Sequence, residues 1–230
     1  AQHLGRGRRG GGARACVAQS GAMAPAAGGT QPPTGGDASY FLVMASGQLE
    51  SADIPEANNA YCKYLLVHGE DWSVVDGMED GITQITRKGG AADGALVWNF
   101  PLDVTYKLTN AFGWPQLVVS VFEVDSLGRD VIKGYGCVHL PAAAGRYERT
   151  IHLYRPLSAS ALQQFTSWLA GTPAEFTDIK FPARGDGREV TRVKSTGTAK
   201  VTLNVLTKDM ATFGYTEDAG GASAGGARAW

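Results

Sequence analysis

Three carboxylates, Glu123, Asp125 and Asp130, fall within the stretch Glu123-Val124-Asp125-Ser126-Leu127-Gly128-Arg129-Asp130. Hard oxygen ligands gathered in a turn between two strongly apolar runs suit a hard cation such as calcium. A single turn does not provide the 6–8 oxygens that calcium takes, so a solvated acidic turn is the simpler expectation, and the three are weak metal candidates. The remaining reactive side chains are scattered. Of His3, His68, His139 and His152, the last two sit on expected strands without acidic partners nearby in the chain, and no Gly-x-Ser-x-Gly motif occurs. Gly134-Tyr135-Gly136 resembles the start of a dinucleotide-binding turn, but it lacks the third glycine and opens no helix. It reads instead as close strand packing or a bulge. No catalytic constellation and no cofactor site is expected, and the chain is read as a non-enzyme.

Cys16, Cys62 and Cys137 form neither a Cys-x-x-Cys pair nor a Cys/His metal spacing. Such sparse, odd usage fits a reducing cytosolic compartment better than a disulfide scaffold. Glycine makes up 31 of 230 residues, about twice the usual share of about 7%. Ten of these lie in residues 1–38 and four in 217–230, so the excess belongs to the ends. Residues 1–38 also carry Arg6, Arg8, Arg9 and Arg14 against Asp37, whereas 39–216 hold 16 basic and 19 acidic side chains. A middle with net charge −3 is no footprint for nucleic acid. The expected organisation is a disordered Gly/Ala/Arg-rich leader over 1–38, one globular domain over 39–216 and a disordered tail over 217–230. Met23-Ala24-Pro25 reads as the native start, with residues 1–22 an extension. No run of about 18 apolar residues exists, which excludes a membrane-spanning helix of that kind.

The elements expected to position these residues are strands. Short runs bounded by Gly, Pro, Asn and Asp cover Tyr40–Met44, Tyr61–Val67, Leu96–Phe100, Asp103–Leu108, Leu117–Val124, Asp130–Leu140, Arg149–Tyr154 and Ala199–Val205. Their spacing predicts an all-β antiparallel sandwich of about eight strands. One short helical insertion interrupts it. Ser160 and Gln163 form a capping box, Leu162, Phe165 and Trp168/Leu169 make an apolar stripe, and Gly171 and Pro173 end it. Trp98 and Trp168 are expected in the core.

In chain order, Asn59-Ala60-Tyr61-Cys62-Lys63-Tyr64, then Val97-Trp98-Asn99-Phe100-Pro101, then the acidic turn and Val131-Ile132-Lys133-Gly134-Tyr135-Gly136 resemble the corresponding stretches of C2 domains. In that resemblance the acidic turn is the third calcium loop. The first loop has Asn59 where an aspartate is usual, with Asp53 and Glu56 at unfamiliar spacing, so no calcium-dependent membrane binding is expected. Further strings are similar to one branch, the B9 domain family: Gly69-Glu70-Asp71-Trp72, Gly81-Ile82-Thr83-Gln84-Ile85-Thr86, Gly113-Trp114-Pro115-Gln116, Phe165-Thr166-Ser167-Trp168, Gly187-Arg188-Glu189-Val190-Thr191-Arg192-Val193 and Val205-Leu206-Thr207-Lys208-Asp209-Met210. They span about residues 39–216.

The resemblance implies a C2-like fold and a non-enzymatic scaffold subunit of the ciliary transition zone. It implies B9 domain-containing protein 2 and the Meckel syndrome protein as partners, in an assembly that supports ciliogenesis and a diffusion gate. The implied locations are the cytoplasm, the cytoskeleton, and the basal body and transition zone of the cilium. A calcium-independent module binding membrane phospholipid is the second reading, and Lys63, Lys107, Lys133 and Lys200 on predicted strands could form its basic face. Sandwich edges and loop ends are the expected contact surfaces. Trp72, Trp114, Arg188 and Arg192 are the candidate partner contacts, because tryptophan and arginine carry much of interface energy.

Overall fold

The computed structural model describes residues 39–89, 94–125, 128–157, 174–185 and 190–215. Among them run ten strands: β1 (Phe41–Asp53), β2 (Asn59–Val67), β3 (Trp72–Gly77), β4 (Asp80–Ile82), β5 (Thr86–Arg87), β6 (Leu96–Leu108), β7 (Gln116–Val124), β8 (Asp130–His139), β9 (Gly145–Pro156) and β10 (Val193–Lys208). All pairings are antiparallel, in the order β3-β6-β1-β10-β9-β8-β7-β2-β4, with β5 beside β2. The path has one weak seam. β8 and β9 touch through the single pair Tyr135 and Tyr154, while β9 and β10 pair from Val193 to Val205. At this seam the sheet curls into two layers, β3-β6-β1-β10-β9 and β8-β7-β2-β4, giving an antiparallel sandwich.

Period-two alternation builds the core. In β6, Leu96, Trp98, Leu102, Val104, Tyr106 and Leu108 are buried and face β2 and β7, which contribute Cys62, Tyr64, Leu117, Val119 and Val121. The layers meet directly where the Trp98 indole N–H donates to Ala60 O at 3.1 Å and where the Tyr64 and Phe100 rings lie 5.8 Å apart.

The eight expected runs fall on seven of these strands, β1, β2, β6, β7, β8, β9 and β10, and the boundaries differ. Leu96–Phe100 and Asp103–Leu108 are one strand. β1 pairs along both halves of β6, and Pro101, which has no N–H to give, lies opposite Gln48 where β3 no longer reaches. Asn99, at φ 47°, lies with Trp98 opposite Glu50 and takes up the register shift between Leu49 and Ser51 while the alternation of β6 continues in phase. β1 does not end at Gly47; a Cβ at this position would collide with the Thr202 carbonyl, so glycine lets β10 approach mid-strand. β3, β4 and β5 were not among the expected strands. Gly134-Tyr135-Gly136 meets both readings given to it. Gly134 flanks the shift in register against Val121 and Phe122, and a Cβ on Gly136 would sit 2.5 Å from Ile151 Cγ2.

The expected helix, with Trp168, lies outside the described residues. The chain that follows it packs on the outer face of β8. Phe176 N–H donates to the Tyr135 hydroxyl at 3.3 Å, the Tyr135 and Phe176 rings lie 5.0 Å apart, and Phe176 stacks on Phe181 at 4.4 Å. A 3-10 turn over Met210–Phe213 then brings Phe213 and Tyr215 onto Phe41 at 5.3 and 5.5 Å.

Candidate interaction surface

The three carboxylates of the acidic turn each already hold a group from elsewhere in the chain. The Glu123 carboxylate takes the Lys133 ammonium at 2.6 Å and the Asn58 N–H at 2.7 Å, with both side chains mostly covered. Burial raises the Glu123 pKa, but hydrogen bonds from Lys133, Asn58 and Asn59 and the Lys133 charge outweigh it and bring it below the usual value. Asp125 pairs with Arg129 at 2.9 Å across a turn closed by Asp125 N–H to Arg129 O and Gly128 N–H to Asp125 O. Asp130 accepts the Tyr61 hydroxyl, and burial together with that partner pushes the phenol up to about 12. Among the described residues no three His, Cys, Asp or Glu side chains are grouped as a metal would need. The chemistry of the turn is structural: it fixes the β7–β8 connection to the start of β2.

The candidate contact residues are spread apart. Trp72 is 3% exposed; its indole N–H donates to Phe112 O at 2.8 Å, and its ring meets Tyr106 and Trp114 edge-on at 5.5 and 5.0 Å. A side chain so placed has no surface to offer a partner, which corrects the expectation for Trp72. Its connection loop had suggested exposure, but Gly69 and Gly113 pack backbone to backbone and draw the ring inward. Trp114 is half-buried and donates to Leu140 O at 2.9 Å. Arg188 lies outside the described residues. Arg192 is exposed just before β10, and β10 begins near Asp53, the far end of β1 from Phe41 and Trp72.

Nor do the four lysines form one basic face. Lys63 on β2 and Lys133 on β8 belong to one layer, Lys107 on β6 and Lys200 on β10 to the other. Lys133 is held by Glu123, Lys63 lies over the Phe122 ring at 4.7 Å, and Lys107 lies over Tyr40 at 4.1 Å.

The surface that sequence reasoning missed is the β3–β4 flank. β3 ends one layer and β4 ends the other, and the chain crosses between them in a tight corner. Met78 N–H donates to Asp103 O at 3.1 Å in the first layer, and Glu79 O accepts Leu66 N–H at 2.7 Å in the second. His68 braces the corner with Nε2 at 2.5 Å from the Glu79 carboxylate and Nδ1 at 2.8 Å from Gly69 O. Apolar side chains point outward here: Val75, Met78, Ile82 and Ile85 are 59%, 72%, 58% and 60% exposed. Ile82 and Ile85 line an open cleft of about 530 Å³ together with Tyr61 and Val124. The available signal was weak: β3 and β4 are short, and their apolar residues do not alternate cleanly.

The family model described as "Ciliary basal body-associated, B9 protein" matches residues 43–206, from β1 to β10. The chain belongs to the B9 domain family. Human B9 domain-containing protein 1 is 54% identical to this B9 domain protein over 177 residues, 77% of this chain and 87% of the relative. B9 domain-containing protein 1 of Xenopus laevis is 53% identical over 177 residues, 77% of this chain and 89% of the relative. B9 domain-containing protein 2 of Danio rerio is 29% identical over 127 residues, 55% of this chain and 71% of that protein. A solved C2 domain of plant extended synaptotagmin 1 superposes with a TM-score of 0.39 at 12% identity, over 71% of this chain and 92% of the domain. The family match associates the B9 sandwich with the cilium and its basal body.

Proposed function

We propose that this B9 domain protein is a non-enzymatic scaffold subunit of the ciliary transition zone. It binds B9 domain-containing protein 2 and the Meckel syndrome protein and supports ciliogenesis and the ciliary diffusion gate. The observation that carries this reading is the 54% identity to human B9 domain-containing protein 1 across 87% of that protein. Geometry supports it: the Glu123 and Asp125 carboxylates of the acidic turn are held in internal pairs, while among the described residues both terminal strands leave main-chain groups open to another chain. Co-expression with the two proposed partners followed by size exclusion tests it. Co-elution of the three is the expected result, and separate elution of this protein from both would overturn it.

The second reading, a calcium-independent phospholipid module, has less behind it, because its four candidate lysines are divided between the two layers. Flotation with anionic liposomes separates the two readings.

A further inference from the structure

We propose that the flank made by β3, the Gly77–Glu79 corner and β4 takes an extended segment of a partner protein in which pairs of apolar side chains alternate with pairs of lysine or arginine, because Asp80 and Ile82 share one face of β4 and call for both types on the facing side. This deepens the scaffold reading and rests on it. β3 and β4 are the two ends of the strand order, so among the described residues each has one side without a ladder neighbour. Because the chain crosses layers within the corner, both open edges fall on one side of the sandwich. The bulge at Val75, between the paired residues Val74 and Asp76, interrupts the β3 edge. The incoming strand therefore ladders on β4, and Val75, Met78 and Ile82 provide exposed apolar seats beside it.

Charge selects the occupant. Between Gly69 and Ile82 there are five carboxylates, Glu70, Asp71, Asp76, Glu79 and Asp80, and no lysine or arginine. Glu79 is taken by His68, whereas Asp76 and Asp80 are exposed and have no cationic partner among the described residues. A second copy of this chain would set the same carboxylates against each other, and an anionic lipid surface would be repelled in the same way. A basic, apolar extended segment satisfies the open main chain, the apolar seats and the unpaired acids together.

The test uses the full chain, isotopically labelled, titrated with two capped octapeptides, one repeating Lys-Lys-Val-Val and one repeating Glu-Glu-Val-Val, so that each face of the strand carries both types. The Lys-Val peptide is expected to shift the amide signals of Gly77 to Ile82 and the Glu-Val peptide to leave them unmoved. The double variant Asp76→Lys with Asp80→Lys alters only exposed side chains, and a wild-type melting curve verifies its fold. It is expected to bind the Lys-Val peptide at least tenfold more weakly and to gain binding of the Glu-Val peptide. Equal response to both peptides, shifts confined to other strands, or no exchange of preference in the variant would overturn the proposal. Two further arms address other occupants. A concentration-dependent dimer that the double variant abolishes would assign the flank to a second copy, and wild-type binding to phosphatidylserine vesicles lost in Met78→Asp would assign it to lipid; either overturns the proposal. In the size-exclusion assay above, separate elution of the wild type defeats the scaffold reading itself. Co-elution of wild type and double variant alike defeats the flank alone.

Discussion

Glu123 illustrates how one side chain can carry the residue types of a ligand and still serve the fold. Its carboxylate links three points of the chain: the end of β7, Lys133 on β8 and the backbone ahead of β2. Replacing it with glutamine is expected to cost about 1–2 kcal/mol at neutral pH, the scale of a charge-assisted hydrogen bond that is largely covered. The sign of the pH dependence follows from its lowered pKa. Its stabilisation is complete above the unfolded carboxylate pKa and disappears as pH falls through the folded one. Urea melts of the wild type and Glu123→Gln should therefore differ by a constant amount near pH 7 and converge as the pH drops below the carboxylate range. A gap that widens on acidification would reject the pairing. The same residue bears on calcium: an ion in the turn would have to displace Lys133, so liposome sedimentation is expected to be unchanged by EGTA. Cys62 offers a second check at this scale. Complete burial pushes its thiol up to about 12, so it should stay unreactive toward a thiol reagent until denaturant is added.

At the scale of elements, the strands that could be read from sequence were those with strong period-two or β-branched runs. β2, β7 and β8 were legible for that reason. Others were hidden by residues that usually end a strand. Gly47 sits inside β1 because β10 passes close to it, and Pro101 sits inside β6 because no third strand needs its N–H. Neither fact is local, so neither could be seen in a window of sequence. Asn99 is the residue that lets β6 continue. A β-branched side chain is disfavoured at its positive φ, and Asn99→Val is expected to lower stability by about 1–2 kcal/mol while Asn99→Gly stays near neutral. Gly136 makes a harsher case. Any side chain there meets Ile151 and Leu153, so Gly136→Val should lower the denaturation midpoint by more than Asn99→Val does. The β3–β4 flank was illegible because a three-residue edge strand has no periodicity to detect; its meaning comes from where the sheet ends.

For the whole molecule, the two layers are closed at one end by an aromatic cluster and at the other by the turn around Glu123. Trp72, Tyr106 and Trp114 form the first closure. Trp72→Ala is expected to cost about 3–5 kcal/mol, the range for truncating a buried large aromatic. That loss should appear in a thermal melt before any loss of partner binding, which a surface contact would not do. The family resemblance was legible from many short strings in one order, while the binding surface was not, because partner contacts depend on exposure, and Trp72 shows that a tryptophan in a glycine-bearing loop can face inward.

The strand order also bears on how the protein is made. β1, the first strand of the sandwich, lies between β6 and β10, so its ladder is completed only by the last strand. During synthesis the ribosome must release nearly the whole domain before Met44 finds Leu206. Until then β1 and β9 expose unpaired edges that a chaperone would have to shield. A premature stop anywhere before β10 should therefore leave an aggregation-prone chain with no cooperative unfolding transition, and a stop beyond Tyr215 should leave the sandwich whole. Clinical or laboratory truncations would divide by that boundary.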